Sequence, residues 1–200
     1  QNGNPILLIF KERATHFISG SYPKWQSGTL HQAAGMAGPS LVQTAPDGSV
    51  IWYGNNTFWR FGENGVEDVG RPIRGRLQRV NPSSCHMGVS WHDSRNRELV
   101  YWLPTDDFDE PNVGFVWDYI HKGWRILTNL WKVKCALSIP EERLVITKAH
   151  YGSIEAMYVY GRGYEHTDPL LDQFSDMYPA KYITGWHPMS EFGAGMHSTK

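Results

Sequence analysis

The residues best equipped for chemistry in this chain are nine histidines, two cysteines and a few clusters of carboxylates and hydroxyls. His86 and His92 are six apart, so on one extended strand they would share a face but lie about 20 Å apart, too far to share a metal. His16, His121, His150 and His187 are scattered among turns and strands. No His-Glu-x-x-His or Cys-x-x-Cys spacing occurs, so the zinc-ligand patterns are missing. Asp106, Asp107, Asp109 and Glu110 are dense enough to attract a hard cation, yet they lack the spaced oxygen ligands and the glycine of a calcium loop. They read as a solvated hairpin tip, which in a ring could also face a neighbouring subunit. Ser90, His92 and Asp93 contain the letters of a nucleophile relay, but neighbours on a strand alternate faces and cannot relay a proton among themselves. Asp118 and Lys122 flank a turn, where an aspartate ordinarily bonds local amides. No nucleophile elbow, phosphate loop or dinucleotide fingerprint is present, and the Gly-Arg-Gly at 161–163 reads as a turn. The chain is therefore expected to carry no catalytic, cofactor-binding or metal-binding residue and to be no enzyme.

The elements behind these residues read as strands. Nine Trp, ten Tyr and eight Phe exclude a solvated tail, while twenty Gly and twelve Pro mark frequent turns. Net charge is −1 and no basic run occurs, so no sequence-independent grip on nucleic acid is signalled. No apolar stretch approaches the roughly 20 residues that span a bilayer. Gln1 is not a methionine and a strand pattern begins at Ile6, which suggests a piece of a longer chain. Cys85 and Cys135 lie in apolar runs and are expected to be buried free thiols.

Four segments align as a repeat: ILLIF, SVIWYG, ELVYWL and RLVITK. Leu7, Val50, Leu99 and Leu144 fall at steps of 43, 49 and 45 residues, a spacing suited to four-stranded propeller blades. Each segment is followed by an aromatic strand: THFISG, TFWRFG, GFVWDY and EAMYVYG. SLVQT, GVSWHD and CALSI supply a strand in front of the last three units, and VEDVG and GWRIL supply outer strands. Trp52, Trp59, Trp91, Trp102, Trp117 and Trp124 recur at like places, which favours packing between blades over stacking of sugars or bases. The fold class is thus all-β: antiparallel four-stranded blades, part of a larger β-propeller. Residues 5–165 form the propeller segment, three fuller blades and one partial, and 166–200 an exit segment leaving them. End sheets should expose apolar residues, expected at Leu8 and Phe17 in the first hairpin and at Val145 and Tyr158 in the last.

Several runs carry a family resemblance. ILLIFKERATHFISG resembles a hairpin of phage tail propellers, and GPSLVQTAPDGSVIWYGNNTFWRFGENGVEDVGRPI resembles the next blade of the same proteins. WHDSRNRELVYWLP and FVWDYIHKGWRIL continue that pattern. The family comprises the tail hub or nozzle subunits of short-tailed bacteriophages. The resemblance implies a structural virion protein located in the tail. It would form a homo-oligomeric ring below the portal, touch other tail or portal-adaptor proteins, and hold and then pass DNA without reading its sequence. It implies no membrane span, no cofactor and no catalytic residue. A sialidase-like propeller would need repeated Ser-x-Asp-x-Gly-x-x-Trp boxes, which are missing, and arginines spread over several blades. Here Arg71, Arg74, Arg76 and Arg79 fall in one connection. The diglycine marks of kelch-like modules and the Trp-Asp marks of WD modules are missing as well.

Overall fold

The computed structural model describes residues 6–128, 132–138, 143–148, 155–159 and 180–183, with side-chain environments for 6–128 and 133–136. The described residues form fifteen strands in four antiparallel sheets and almost no helix. The first sheet runs β1 (Ile6–Phe10), β2 (Thr15–Ser21), β3 (Lys24–His31). The second runs β4 (Val42–Thr44), β5 (Val50–Gly54), β6 (Thr57–Gly62), β7 (Gly65–Asp68). The third runs β8 (Val89–Asp93), β9 (Glu98–Leu103), β10 (Val113–Asp118), β11 (Gly123–Thr128), and β15 (Ala180–Ile183) adds a fifth strand beside β11. The fourth runs β12 (Lys132–Ser138), β13 (Arg143–Lys148), β14 (Glu155–Val159).

These sheets follow from short-range signals. Asn55 and Asn56 both take positive φ, 50° and 59°, the conformation that a two-residue hairpin between β5 and β6 requires. Gly48 (φ +80°) lets the turn into β5 close, and the Asp47 carboxylate accepts from the Ser49 amide at 2.9 Å. β-Branched and aromatic residues then fill the strands because they suit a pleated surface covered on its faces. The connection from β7 to β8 holds one short helix, α1 (Arg74–Leu77), flanked by 3-10 turns at Arg71–Ile73 and Cys85–Met87.

The repeat is visible in which way side chains point. Along β5, Ile51 and Tyr53 face the third sheet, whereas Trp52 faces the first, where Phe10 meets it edge-on at 5.0 Å. Along β9, Leu99, Tyr101 and Leu103 face back to the second sheet, whereas Val100 and Trp102 face forward to Val133 of β12. Val50 and Leu99, one repeat step apart, therefore both face the preceding sheet. The step conserves facing direction as well as strand position. β5, β9 and β13 are each the second strand of their sheet, and β1 is the first strand described in its own. Between sheets, the chain comes closest along the first strands, β4 beside β8 and β8 beside β12, so the sheets fan out from that side. A closed ring of blades is not seen among the described residues.

The interface between the second and third sheets is the main core. Phe58 lies fully buried at its centre, with ring centroids 4.5 Å from Trp124, 4.9 Å from Tyr101, 5.1 Å from Tyr53 and 5.9 Å from Phe115. Ile73 and Leu77 of the connecting segment plug its outer end. Such offset and tilted rings contribute about 0.5–1.5 kcal/mol per pair beyond the area they bury.

Four expectations need correction. His86 stands in the turn Cys85–Met87 and not on a strand, so it shares no strand face with His92. Cys85 occupies the same turn and is half-buried, and Cys135, though on β12, is exposed. Both thiols are free, but neither is a core thiol. The uncovered side of the first sheet presents Leu7 and Ile9, since Leu8 and Phe17 point toward the second sheet with Phe10. β3 was not expected, because KWQSGTLH shows no clear alternation. Val145 and Tyr158 have side chains outside the described residues.

Candidate functional site

The groups with most chemical potential sit at one end of the third sheet. Strand register sets Asp93, Glu98 and Asp118 side by side, three carboxylates in a row. Asp93 is fully buried and caps its own turn, accepting from the Asn96 amide at 2.9 Å. Asp118 caps the next turn, accepting from the amides of Ile120 at 2.8 Å and His121 at 2.9 Å, with the His121 ring at 2.7 Å. Burial pushes the Asp118 carboxyl up, but those amides and the imidazole outweigh it and hold it below the usual range. Glu98, between them, pairs with Arg125, both side chains largely buried. Burial lifts the Glu98 carboxyl above its ordinary value, Arg125 opposes that, and Asp93 and Asp118 add to it. Each carboxylate thus has a structural partner, and the row closes two hairpins.

Ser90, His92 and Asp93 divide as their alternation requires. The Ser90 hydroxyl donates to the Ser40 carbonyl and accepts from Gln43 Nε2 at 3.0 Å, tying β8 to β4. His92 Nε2 lies 3.3 Å from the Tyr119 hydroxyl, and burial lowers its pKa while Asp93 pulls the other way. Three residues of a would-be relay serve three different contacts. His16 meets Thr29 across the first hairpin at 3.2 Å, and Lys122, at φ +52°, takes the left-handed position of the Asp118 turn.

The acidic loop is not a free tip. Arg79 grips Asp106 through two hydrogen bonds of 2.8 and 2.7 Å, and Ser84 donates to Asp109 at 2.8 Å. Asn81 Nδ2 donates to the Phe108 carbonyl, and Val80 bridges Thr105. The loop therefore docks on the connection from β7 to β8, and an arginine stands where a bound cation would. Arg79 holds the Asp106 carboxyl below its ordinary range. Arg74 pairs with Asp68 at 3.3 Å, so two of the four clustered arginines brace local carboxylates. Among the described residues no group of three or more His, Cys, Asp or Glu could hold a metal ion. His150, His187 and the Gly-Arg-Gly turn lie outside the described residues.

The tryptophans instead build the interfaces. Trp52, Trp91, Trp102, Trp117 and Trp124 are buried, and Trp59 is partly buried against His31 at 5.0 Å. Two contacts recur at the repeat step and were not legible in the sequence. Trp52 Nε1 donates to the Gly35 carbonyl at 3.1 Å, and Tyr101, 49 residues on, donates through its hydroxyl to the Ile51 carbonyl at 2.9 Å. Each reaches back from the second strand of its sheet to backbone in front of it. Trp124 Nε1 adds a bond to the Val69 carbonyl at 2.7 Å. Gly35 and Gly54 let the chain in at the first junction, since a Cβ on Gly54 would stand 1.8 Å from the Gly35 oxygen. The functional surface legible here is thus an array of stacked, aromatic sheet faces. No protein-family model matches the chain. No curated protein matches it either.

Proposed function

We propose that this chain is a structural subunit that acts by assembly, of the kind that forms the hub or nozzle of a short-tailed phage tail. One observation carries the reading: the carboxylates, histidines and aromatics that could do chemistry are each held in turns, caps or sheet-to-sheet contacts. The antiparallel, fanned sheets match the repeat on which the resemblance to tail propellers rests. A ring of such subunits below the portal would retain DNA and later pass it. A net charge of −1 suits that task, because a passage that must release a polyphosphate should not grip its backbone. The experiment is immunogold electron microscopy of purified particles with antibodies raised against this chain. Gold at the tail supports the reading; particles without label, or a purified chain that hydrolyses glycosides, would overturn it.

A further inference from the structure

The two faces of a sheet in this fold are not equivalent: one meets the sheet before it and the other the sheet after. In the second and third sheets the backward-facing positions are closed off, as at Trp52, Leu99 and Tyr101, each 0% exposed. The first sheet has the same face. Register places Leu7 beside Ile18 beside Ser27, Ile9 beside His16 beside Thr29, and Gly20 beside Trp25. Phe10 and His31 point the other way, to Trp52 and Trp59, so these residues face backward. Here Leu7 is 60% exposed, Trp25 59% and Ile9 38%. The whole face carries no Asp, Glu, Lys or Arg. An exposed sheet normally places charge on its water side. This one keeps the composition of the covered interfaces while lying open, the mark of a surface used in association.

We infer that this backward face of the first sheet is a self-association surface, occupied by the last sheet of a second copy of the chain stacked head to tail. The inference rests on the assembly reading above and names its contact. It continues an interface that the chain already builds between its own sheets. Because forward faces there meet backward faces, the matching partner is the opposite end of another copy, not the same face turned round. Such heterologous contacts propagate into rings or open stacks and do not stop at two.

The test is sedimentation of the 200-residue chain over a range of concentrations, for the natural sequence and for Leu7→Glu, Ile9→Lys and Tyr22→Ser. The natural chain should grow beyond a dimer with concentration. Leu7→Glu and Ile9→Lys should each move that association to at least about tenfold higher concentration, because each buries an unpaired charge. Their thermal unfolding should stay unchanged, since both positions are open to solvent. Tyr22, 87% exposed at the hairpin tip, should tolerate substitution without effect. Association that stops at a dimer, or that ignores both charges, overturns the proposed contact while leaving the assembly reading standing. A chain that stays monomeric throughout overturns the contact, and the particle labelling then decides the assembly reading separately.

Discussion

Removing the Phe58 ring is the sharpest perturbation of the stack. The side chain is fully buried and touches four aromatic rings, one from its own sheet and three from the next. Truncating a buried phenylalanine to alanine costs about 3–5 kcal/mol in lost transfer energy and residual cavity. Total stability of a domain is about 5–15 kcal/mol, so a third or more would go. With a urea dependence of about 2–3 kcal/mol per molar, the unfolding midpoint of Phe58→Ala should fall by about 1–2 M at unchanged slope. Ile120→Ala, at an exposed turn position, should stay within about 0.5 kcal/mol of the parent. Phe58 and Trp124 sit on different sheets with centroids 4.5 Å apart, so the double variant should depart from additivity by about 0.5–3 kcal/mol. Additivity of that pair, or a loss below about 1 kcal/mol for Phe58→Ala, would refute face-to-face packing of the two sheets.

Tyr101→Phe removes the bond to the Ile51 carbonyl and should cost about 0.5–1.5 kcal/mol by urea titration, with no change in far-ultraviolet circular dichroism. Gly54→Ala meets backbone at 1.8 Å and should unfold the first junction, read as lost protection of amides in β1 and β2; Gly48→Ala, with open space but φ +80°, should cost only about 1–2 kcal/mol. Asp118 is held below its ordinary pKa, so its stabilisation is full above that value and is lost as pH falls through the lowered one. Asp118→Asn should therefore flatten the loss of stability seen by thermal melts between about pH 5 and pH 2. Cys135 is exposed and Cys85 half-buried with its thiol pushed up by burial, so a maleimide should label Cys135 first; equal rates would contradict the placement of β12.

Strand order was legible because its signals are local. Alternating β-branched and aromatic residues, the Asn55–Asn56 hairpin and the spacing of Val50 and Leu99 all act within a few residues or at a fixed period. β3 escaped because Gly28 interrupts it and the Phe17 ring across the hairpin covers the gap, a contact visible only in space. Cys85 and His86 were misplaced because the apolar residues around them suggested a strand, whereas the segment turns to bring Gly88 against Leu41 and Leu103. The docking of the acidic loop could not be read either, since Arg79 and Asp106 are far apart in sequence and meet only once β9 is placed. The absence of a catalytic pattern was an expectation drawn from spacing alone. The structure adds the particular partner of most of the candidate groups that it describes.

Cryo-electron microscopy of the assembled protein tests the central claim most directly. The account predicts sheets radiating around an open axis, with β4, β8 and β12 innermost and a pore through the centre. A two-layer sandwich, or a solid particle with β7 and β11 toward the middle, would contradict it.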